Sequence, residues 1–274
     1  MHRIFFLAFC LVSCQENAQS PALLTRINAS RTYTSIAEIP LPEGYTRIRD
    51  SVTDFSHWLR ERPLKKDNTV YLYDGRPKGN QQAQFAVLDI PVGKKDLQQC
   101  ADAIMRLRAE YLYDQKRWNE VSFLATSGQT LSFSRWQQGY RYRLKGQRLE
   151  EYRTSAAQGN TRDEFEQYLQ LVFTYCGTSS LHRQLGKADA SKPVKAGDVF
   201  LQPGFPGHAM LVIDVAGKNG ERIFLLAQSY MPAQDIHVVK NPMDTNLSPW
   251  YKEEGKGQLI TPEWIFEDWP LYRW

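Results

Sequence analysis

Residues 197–215 read GDVFLQPGFPGHAMLVIDV, and this is the most informative stretch of the chain. A Gly-Asp turn leads into a short apolar strand over 199–202, and a turn rich in proline and glycine follows over 203–207. His208 then stands at the start of a strongly apolar strand over 210–215. A histidine at the mouth of a buried strand is held in one orientation, which suits a general base.

The strand that starts near His208 is predicted to turn back on itself as a hairpin. The residues Gly-Lys-Asn-Gly at 217–220 are typical turn residues, and an apolar run follows over 222–227. A turn centred here pairs residues whose numbers sum to about 436–439, which puts position 208 opposite about 228–231. Gln228 breaks the apolar run, and it is a candidate to orient the imidazole or to stabilise an oxyanion. Ordinary polarity at a strand end explains Gln228 equally well.

Two predicted helices carry the candidate nucleophiles. Apolar spacing predicts a helix over 96–113, capped by Asp96, so Cys100 falls in its first turn. The unpaired N–H groups and the dipole at a helix start favour a thiolate. A second helix is predicted over 161–175, with Cys176 at its unfavourable C-terminal end. Cys100 is therefore the first candidate nucleophile, and Cys176 is the alternative. The competing interpretation is that Cys100 is a small buried hydrophobic residue of the core with no catalytic role.

The separation in sequence between each cysteine and His208 favours Cys176 as the nucleophile instead. Cys176 precedes His208 by 208 − 176 = 32 residues, and Cys100 by 208 − 100 = 108. A pair formed by Cys100 and His208 therefore needs inserted elements between them. In an exported protein, two cysteines can also form a disulfide. We expect two free thiols, because the cysteines lie at opposite ends of different helices and at different depths.

The N-terminus has the pattern of an exported bacterial lipoprotein. Residues 1–13 combine a basic start with a short apolar core, as a signal peptide does. The string LVSC at 11–14 resembles a lipobox, and that resemblance implies lipidation of Cys14. A signal peptide cleaved elsewhere is the alternative. Residues 14–39 are expected to form a tether, and 40–274 a single globular domain.

Composition places the chain among soluble globular proteins. Of its 274 residues 42% are hydrophobic and 23% charged, and the net charge is +4. This mild charge does not argue for nucleic-acid binding. The cysteine and histidine spacing matches no zinc site, so we expect neither a metal nor another cofactor.

Helices, strands and hairpins are also predicted in other segments of the chain. A short helix is expected over 55–61, and residues 140–153 form a solvated loop or an edge strand. His237 is expected at an exposed strand position. The predicted hairpins join 70–73 to 84–90 and 121–125 to 130–133.

Two resemblances extend these observations. The order Gly-Asp turn, strand, turn and His-strand resembles the second half of NlpC-type and CHAP-type cysteine peptidases and amidases. That resemblance implies an α+β, papain-like fold, with an antiparallel sheet, packed helices and inserted hairpins. The strings LQQCADA, RLRAEYL, PGHA and LAQSYMPAQ, which start at 97, 106, 206 and 226, resemble domain of unknown function family 4846 over roughly 40–252. That family implies export as a lipoprotein and supplies no activity.

Two functions follow as hypotheses. The first is a membrane-anchored thiol amidase or peptidase that acts on cell-wall peptides through Cys100, His208 and Gln228, with peptidoglycan as its partner. The second is a non-catalytic lipoprotein that binds a cell-envelope ligand, with Trp118, Trp136 and Trp250 as candidate contacts. Either protein would be lipid-anchored in the bacterial envelope, at the outer membrane or in the periplasm.

Overall fold

A long antiparallel hairpin forms the centre of the structure. Strand β9 (His208–Lys218) pairs with β10 (Glu221–Gln228) in a computed structural model that describes residues 33–48, 51, 54–155, 159–189 and 191–274. Asn219 and Gly220 have φ values of 51° and 88° in the turn between them. Tight two-residue hairpin turns need positive φ at both central residues, which these residue types tolerate. The hairpin predicted from the sequence is confirmed.

The sheet grows outward from this hairpin on both sides. The added strands are β1 (Thr46–Arg47), β2 (Gln84–Val87), β7 (Gly186–Lys187), β8 (Val199–Gln202), β11 (His237–Val239), β12 (Tyr251–Lys252) and β15 (Leu271–Arg273). The sheet order is β2-β11-β10-β9-β8-β15-β7, with β1 paired to β9 and β12 paired to β10, and its pairs are antiparallel. Separate two-stranded sheets pair β3 (Ser122–Leu124) with β4 (Thr130–Ser132), β5 (Tyr140–Lys145) with β6 (Arg148–Arg153), and β13 (Leu259–Ile260) with β14 (Ile265–Phe266).

Helices cover one face of the sheet. They are α1 (Phe55–Arg60), α2 (Cys100–Asp114), α3 (Phe133–Gln137), α4 (Arg162–Tyr175) and α5 (Thr178–Gln184). The guanidinium of Arg162, at the start of α4, binds the carboxylate of Glu110, near the end of α2, with N–O distances of 2.5 and 2.6 Å. The two helices therefore run antiparallel, and the start of α2 lies beside the end of α4.

Both faces of β9 are buried, and successive residues alternate between them. Ala209 and Leu211 belong to the core that includes α2, whereas Met210 and Val212 belong to a second core on the opposite face. A strand covered on both sides needs apolar residues at consecutive positions, which explains the unbroken apolar run. This alternation decides the direction of each side chain at the site.

The fold is mixed α+β, and residues 33–274 form one compact unit. Among the described residues, no helix has the length and apolar character needed to cross a bilayer. Cys14, the signal segment and most of the expected tether lie outside the described residues.

Several predicted elements keep their type but change their bounds or partners. The helices expected over 55–61 and 161–175 and the hairpin at 121–133 are present. The segment 140–153 is a hairpin of its own. The predicted pairing of 70–73 with 84–90 is wrong, because Leu72 bridges Gln234 and β2 pairs with β11. These are contacts with distant parts of the chain, which local turn patterns do not report.

Candidate functional site

Cys100 is the first residue of α2. The helix starts at Cys100 and not at Asp96, because Gln99 is the N-cap and its backbone N–H donates to Oδ2 of Asp102 over 3.0 Å. Asp96 instead accepts a hydrogen bond from the backbone N–H of Ala233 over 2.7 Å. The sulfur is thus closer to the helix N-terminus than the sequence predicts.

The thiol of Cys100 is nevertheless kept protonated by its surroundings. Burial raises its pKa to about 11, and the nearby carboxylate of Asp102 acts in the same direction. The backbone N–H groups of Ala101, Ala209 and Cys100 itself favour the thiolate, but their effect on the pKa is smaller. The expectation of a lowered pKa at this helix start is wrong, since desolvation outweighs the helix terminus.

Cys176 lines the same pocket as Cys100, in a cavity of about 300 Å³. The antiparallel packing of α2 and α4 brings the two cysteines together, which corrects the expectation that they lie at different depths. Both are free thiols, and burial raises the pKa of Cys176 to about 12. Gly177, the residue after Cys176, has an extended backbone and is the N-cap of α5.

Two exposed apolar side chains line this thiol pocket, and the turn beside it is tightly built. Phe205 is 95% exposed and Met231 is 50% exposed, and both line the pocket. The turn before His208 passes close to its neighbours, because a Cβ at Gly207 would lie 2.5 Å from the carbonyl oxygen of Gly204. Only glycine fits there, so the turn that carries His208 is fixed beside the pocket.

His208 lies on the face of the sheet opposite α2. It is 1% exposed, and its ring packs against Tyr230, Trp264 and Phe266 at centroid distances of 4.9, 5.1 and 6.0 Å. Nε2 of His208 lies 2.8 Å from Oε1 of Gln228. The hairpin register therefore brings together the two residues that the sequence paired.

His237 completes this arrangement and is buried, not exposed as predicted. It pairs with Gln228 across β10 and β11. Nδ1 of His237 lies 2.9 Å from the carbonyl oxygen of Asp235, which can only accept a hydrogen bond. Nδ1 therefore carries the proton, and Nε2 of His237 accepts from the amide of Gln228 over 3.3 Å.

The same reasoning fixes the tautomer of His208. The amide of Gln228 also donates to Oε2 of Glu263 over 2.9 Å, so its nitrogen is the donor on both contacts. Its oxygen must then accept from Nε2–H of His208. Nδ1 of the neutral imidazole is left unprotonated, and the described residues place no hydrogen-bond donor on it. A lone pair on Nδ1 is the feature that a general base requires.

The environment keeps both histidines neutral. Burial lowers the pKa of His208 to about 4 and that of His237 to about 3. The ammonium of Lys78 adds to both shifts, and it forms a salt bridge with Glu263. Sequence reasoning missed Lys78 and Glu263, which carry no motif and meet only in the folded chain.

Cys100 and His208 share neighbouring residues, and no hydrogen bond joins the two side chains in the described structure. The sulfur interacts with the backbone N–H of Ala209, the residue after His208. Burial raises the pKa of the Tyr230 hydroxyl most, and Glu263 and then Cys100 add smaller contributions, which places the sulfur near Tyr230. The Tyr230 ring contacts the His208 ring. The thiol and the imidazole thus share two neighbours at one end of the sheet, although their side chains start from opposite faces.

A buried aspartate of β9 and the three candidate tryptophans have structural roles. Asp214 is buried and binds Nε of Arg47 at 2.7 Å and Nε of Arg60 at 2.5 Å. Trp136 and Trp250 belong to the core, and Trp118 packs against it. Within the described ranges no cluster of three or more His, Cys, Asp or Glu residues is arranged to hold a metal ion.

Comparison with known proteins gives a family and no activity. No curated protein matches the chain, and no solved structure matches it. One family model, described as a domain of unknown function (4846), matches residues 36–273, which include the hairpin, both thiols and the buried histidines. The chain therefore belongs to the domain of unknown function family 4846.

Proposed function

We propose that this protein is a thiol hydrolase of amide bonds, in which Cys100 attacks, His208 is the base and Gln228 is the positioning residue. The observation that carries the proposal is the tautomer of His208. Its Nε2–H is held by Gln228, so the lone pair of Nδ1 is the free side of the ring. In a Cys-His hydrolase this is the side that takes the proton from the thiol.

The proposed reaction assigns one step to each of these groups, once the imidazole and the sulfur are in contact. Nδ1 of His208 takes the thiol proton as the sulfur of Cys100 bonds to the carbonyl carbon of the amide. The first N–H groups of α2 favour the negative charge that develops on the carbonyl oxygen. The C–N bond then breaks, and the imidazolium returns its proton to the leaving amine. Water, deprotonated by the same imidazole, hydrolyses the thioester and regenerates the thiol.

A papain-like fold of the NlpC and CHAP kind is part of this proposal. Three features support it: a cysteine at the first position of a helix, a histidine at the start of a strand, and a polar residue on the next strand that binds the histidine.

The resting pair in this enzyme is neutral. With the thiol pKa near 11 and the imidazole pKa near 4, neither group is charged at pH 7. Cys100 would therefore act as a thiol that loses its proton during attack, and not as a preformed thiolate. Substrate binding must also bring the imidazole and sulfur together around the end of β9.

We assign cell-wall peptides as the substrate and the bacterial envelope as the location, through a lipid on Cys14. The lipobox-like LVSC string at 11–14 supports the anchor. The apolar rim formed by Phe205 and Met231 supports a ligand with an apolar group beside the scissile bond. Cys14→Ser should move the protein from the membrane fraction to the soluble fraction, and retention in the membrane would contradict the anchor.

A non-catalytic envelope-binding protein is the second candidate. The observation that favours it is the neutrality of the pair, because the surroundings raise the pKa of Cys100 and lower that of His208. An ion pair would need the opposite shifts.

Labelling with a substrate-like electrophile separates the two functions. A peptidyl acyloxymethyl ketone reacts fast only with a thiol that attacks with base assistance. We expect the label on Cys100 in wild type and in Cys176→Ala, and at least a tenfold slower rate in His208→Ala. Equal rates in wild type and His208→Ala would favour the binding protein.

A further inference from the structure

A second cavity, of about 690 Å³, lies between the segment at 91–98, α2 and α4. Cavities of this size take ligands as large as a short peptide. Its polar walls are mostly cationic, and they comprise Lys94, Lys95, Gln98, Arg106, Arg162, Glu166 and Gln170. We call it the cationic cavity.

The positive charge of the cationic cavity is only half balanced. Arg106 and Arg162 share the carboxylate of Glu110, and Arg162 also binds Glu166. Four cationic side chains thus line the cavity, and two carboxylates are available to balance their charge. Lys94 forms no ion pair with a described residue, and Lys95 donates only to the amide oxygen of Gln170, over 2.8 Å. The remaining charge favours an anionic ligand, and the enclosing walls reduce its screening by solvent.

The side-chain amide of Gln98 is independent evidence that the cationic cavity binds a ligand. Its side chain is 1% exposed and lines the cavity, and Nε2 has no hydrogen-bond partner among the described residues. Its Oε1 accepts from the guanidinium of Arg106 over 2.5 Å. Since a guanidinium only donates, this contact fixes the orientation of the amide, and the unpaired group is a donor. A buried donor without a partner is costly, and an anionic oxygen would satisfy it.

The cationic cavity adjoins the thiol pocket. Leu97 and Phe173 line both. A ligand that extends from the cationic cavity to the thiol pocket would therefore place an acidic group in the cavity and a carbonyl group near Cys100 in the pocket.

We infer that the cationic cavity binds an anionic oxyacid group of the ligand, which is a carboxylate of an acidic peptide or a phosphate. Binding itself does not depend on catalysis. Only the placement of the neighbouring carbonyl at Cys100 rests on the proposed function.

Calorimetric titration of three probes tests this inference. The probes are the dipeptide Ala-Glu, its fully C-amidated counterpart and inorganic phosphate. Lys94→Gln/Lys95→Gln removes the unbalanced charge from an exposed segment. Lys66→Gln/Lys256→Gln is the matched control, because both of these lysines are exposed and lie outside the cavity. Gln98→Glu keeps the acceptor for Arg106 but replaces the unpaired donor with an oxygen.

We expect wild type to bind Ala-Glu or phosphate at least tenfold more tightly than the amidated peptide. The stronger of these two probes identifies the source of the anion. The Lys94/Lys95 variant and Gln98→Glu should each lose at least tenfold in affinity, and the control pair should lose less than twofold. Equal binding of the amidated peptide, unchanged affinity in the Lys94/Lys95 variant, or no binding of any probe to wild type would overturn the inference. Cys100→Ser separates it from the proposed function, because this variant should bind the anion unchanged while losing hydrolysis.

Discussion

Nε2 of His208 donates to Oε1 of Gln228 over 2.8 Å, although both side chains are almost completely buried. Gln228 can accept this hydrogen bond because its nitrogen donates to His237 and Glu263. One amide therefore sets the tautomer of His208 and also satisfies two other buried groups. This relationship links the stability of the sheet to the chemistry that we assign to the imidazole.

Replacing Gln228 with leucine should be strongly destabilising. The change leaves Nε2–H of His208 and Nε2 of His237 without a partner, and unsatisfied buried polar groups cost about 1–3 kcal/mol each. We expect Gln228→Leu to lower the free energy of unfolding by about 3 kcal/mol in urea titrations. Gln258→Leu is the control, because this amide binds Glu267 at the exposed surface. Similar losses in the two variants would argue against the buried network.

The two buried histidines should make the fold sensitive to acid. A histidine in the unfolded chain has a pKa of about 6.5. Burial in the fold lowers the pKa of His208 to about 4 and that of His237 to about 3. Between the unfolded and folded values the unfolded chain binds protons that the folded chain does not, so stability falls as the pH drops below about 6.5. For His208 the loss approaches about 3 kcal/mol near pH 4.

Urea titrations at several pH values from 7.5 to 4.5 measure this effect. Carboxylates also titrate in this range, so the useful quantity is the difference between wild type and His208→Gln at each pH. The loss of stability on acidification should be smaller in the variant by about 2 kcal/mol. Parallel curves would mean that the pKa of His208 is not lowered in the fold.

Removing the charge of Asp102 should make both thiols more reactive. Burial is the main cause of the raised pKa of Cys100 and of Cys176, and the carboxylate of Asp102 raises both further. Burial also raises the pKa of Asp102 itself well above its usual range, so the test needs a pH at which this carboxyl is charged. Asp102→Asn keeps an oxygen to accept from the Gln99 N–H, so the helix start is preserved. We expect iodoacetamide to label both thiols roughly threefold to tenfold faster at pH 8.5.

Asp114→Asn is the matched control for this test. Asp114 ends the same helix and accepts from Nε1 of Trp58 over 2.8 Å, far from the thiol pocket along α2. Its replacement should leave both labelling rates unchanged. If Asp102→Asn also leaves them unchanged, the charge of Asp102 does not control the thiols.

The central hairpin and its register could be predicted because a local turn sets them. The residues at 217–220 fix the pairing, and the apolar alternation fixes which side chains share a face. The contact between His208 and Gln228 follows from that register. The sequence also correctly placed Cys100 at a helix start, since apolar spacing defines the helix to within a turn.

The rest of the site depends on contacts between distant segments. The salt bridge between Glu110 and Arg162 orients α2 against α4 and so brings Cys176 next to Cys100, yet nothing in either helix alone specifies this partner. Lys78 and Glu263 meet across 185 residues of chain. The pKa values of the thiols and imidazoles could not be predicted from the sequence either, because they depend on burial in the fold. At Cys100 burial raises the pKa, which is the opposite of the effect expected from the helix start.

Hydrolysis of purified cell-wall peptides tests the central claim most directly. Wild type, Cys100→Ala, His208→Ala and Cys176→Ala would be incubated with the same peptides, and the cleaved products would be measured by mass spectrometry. A thiol hydrolase that uses Cys100 and His208 should cleave the peptides as wild type and as Cys176→Ala, and cleavage should fall about 100-fold or more in Cys100→Ala and in His208→Ala. Undiminished cleavage by Cys100→Ala, or no cleavage by wild type, would contradict this claim.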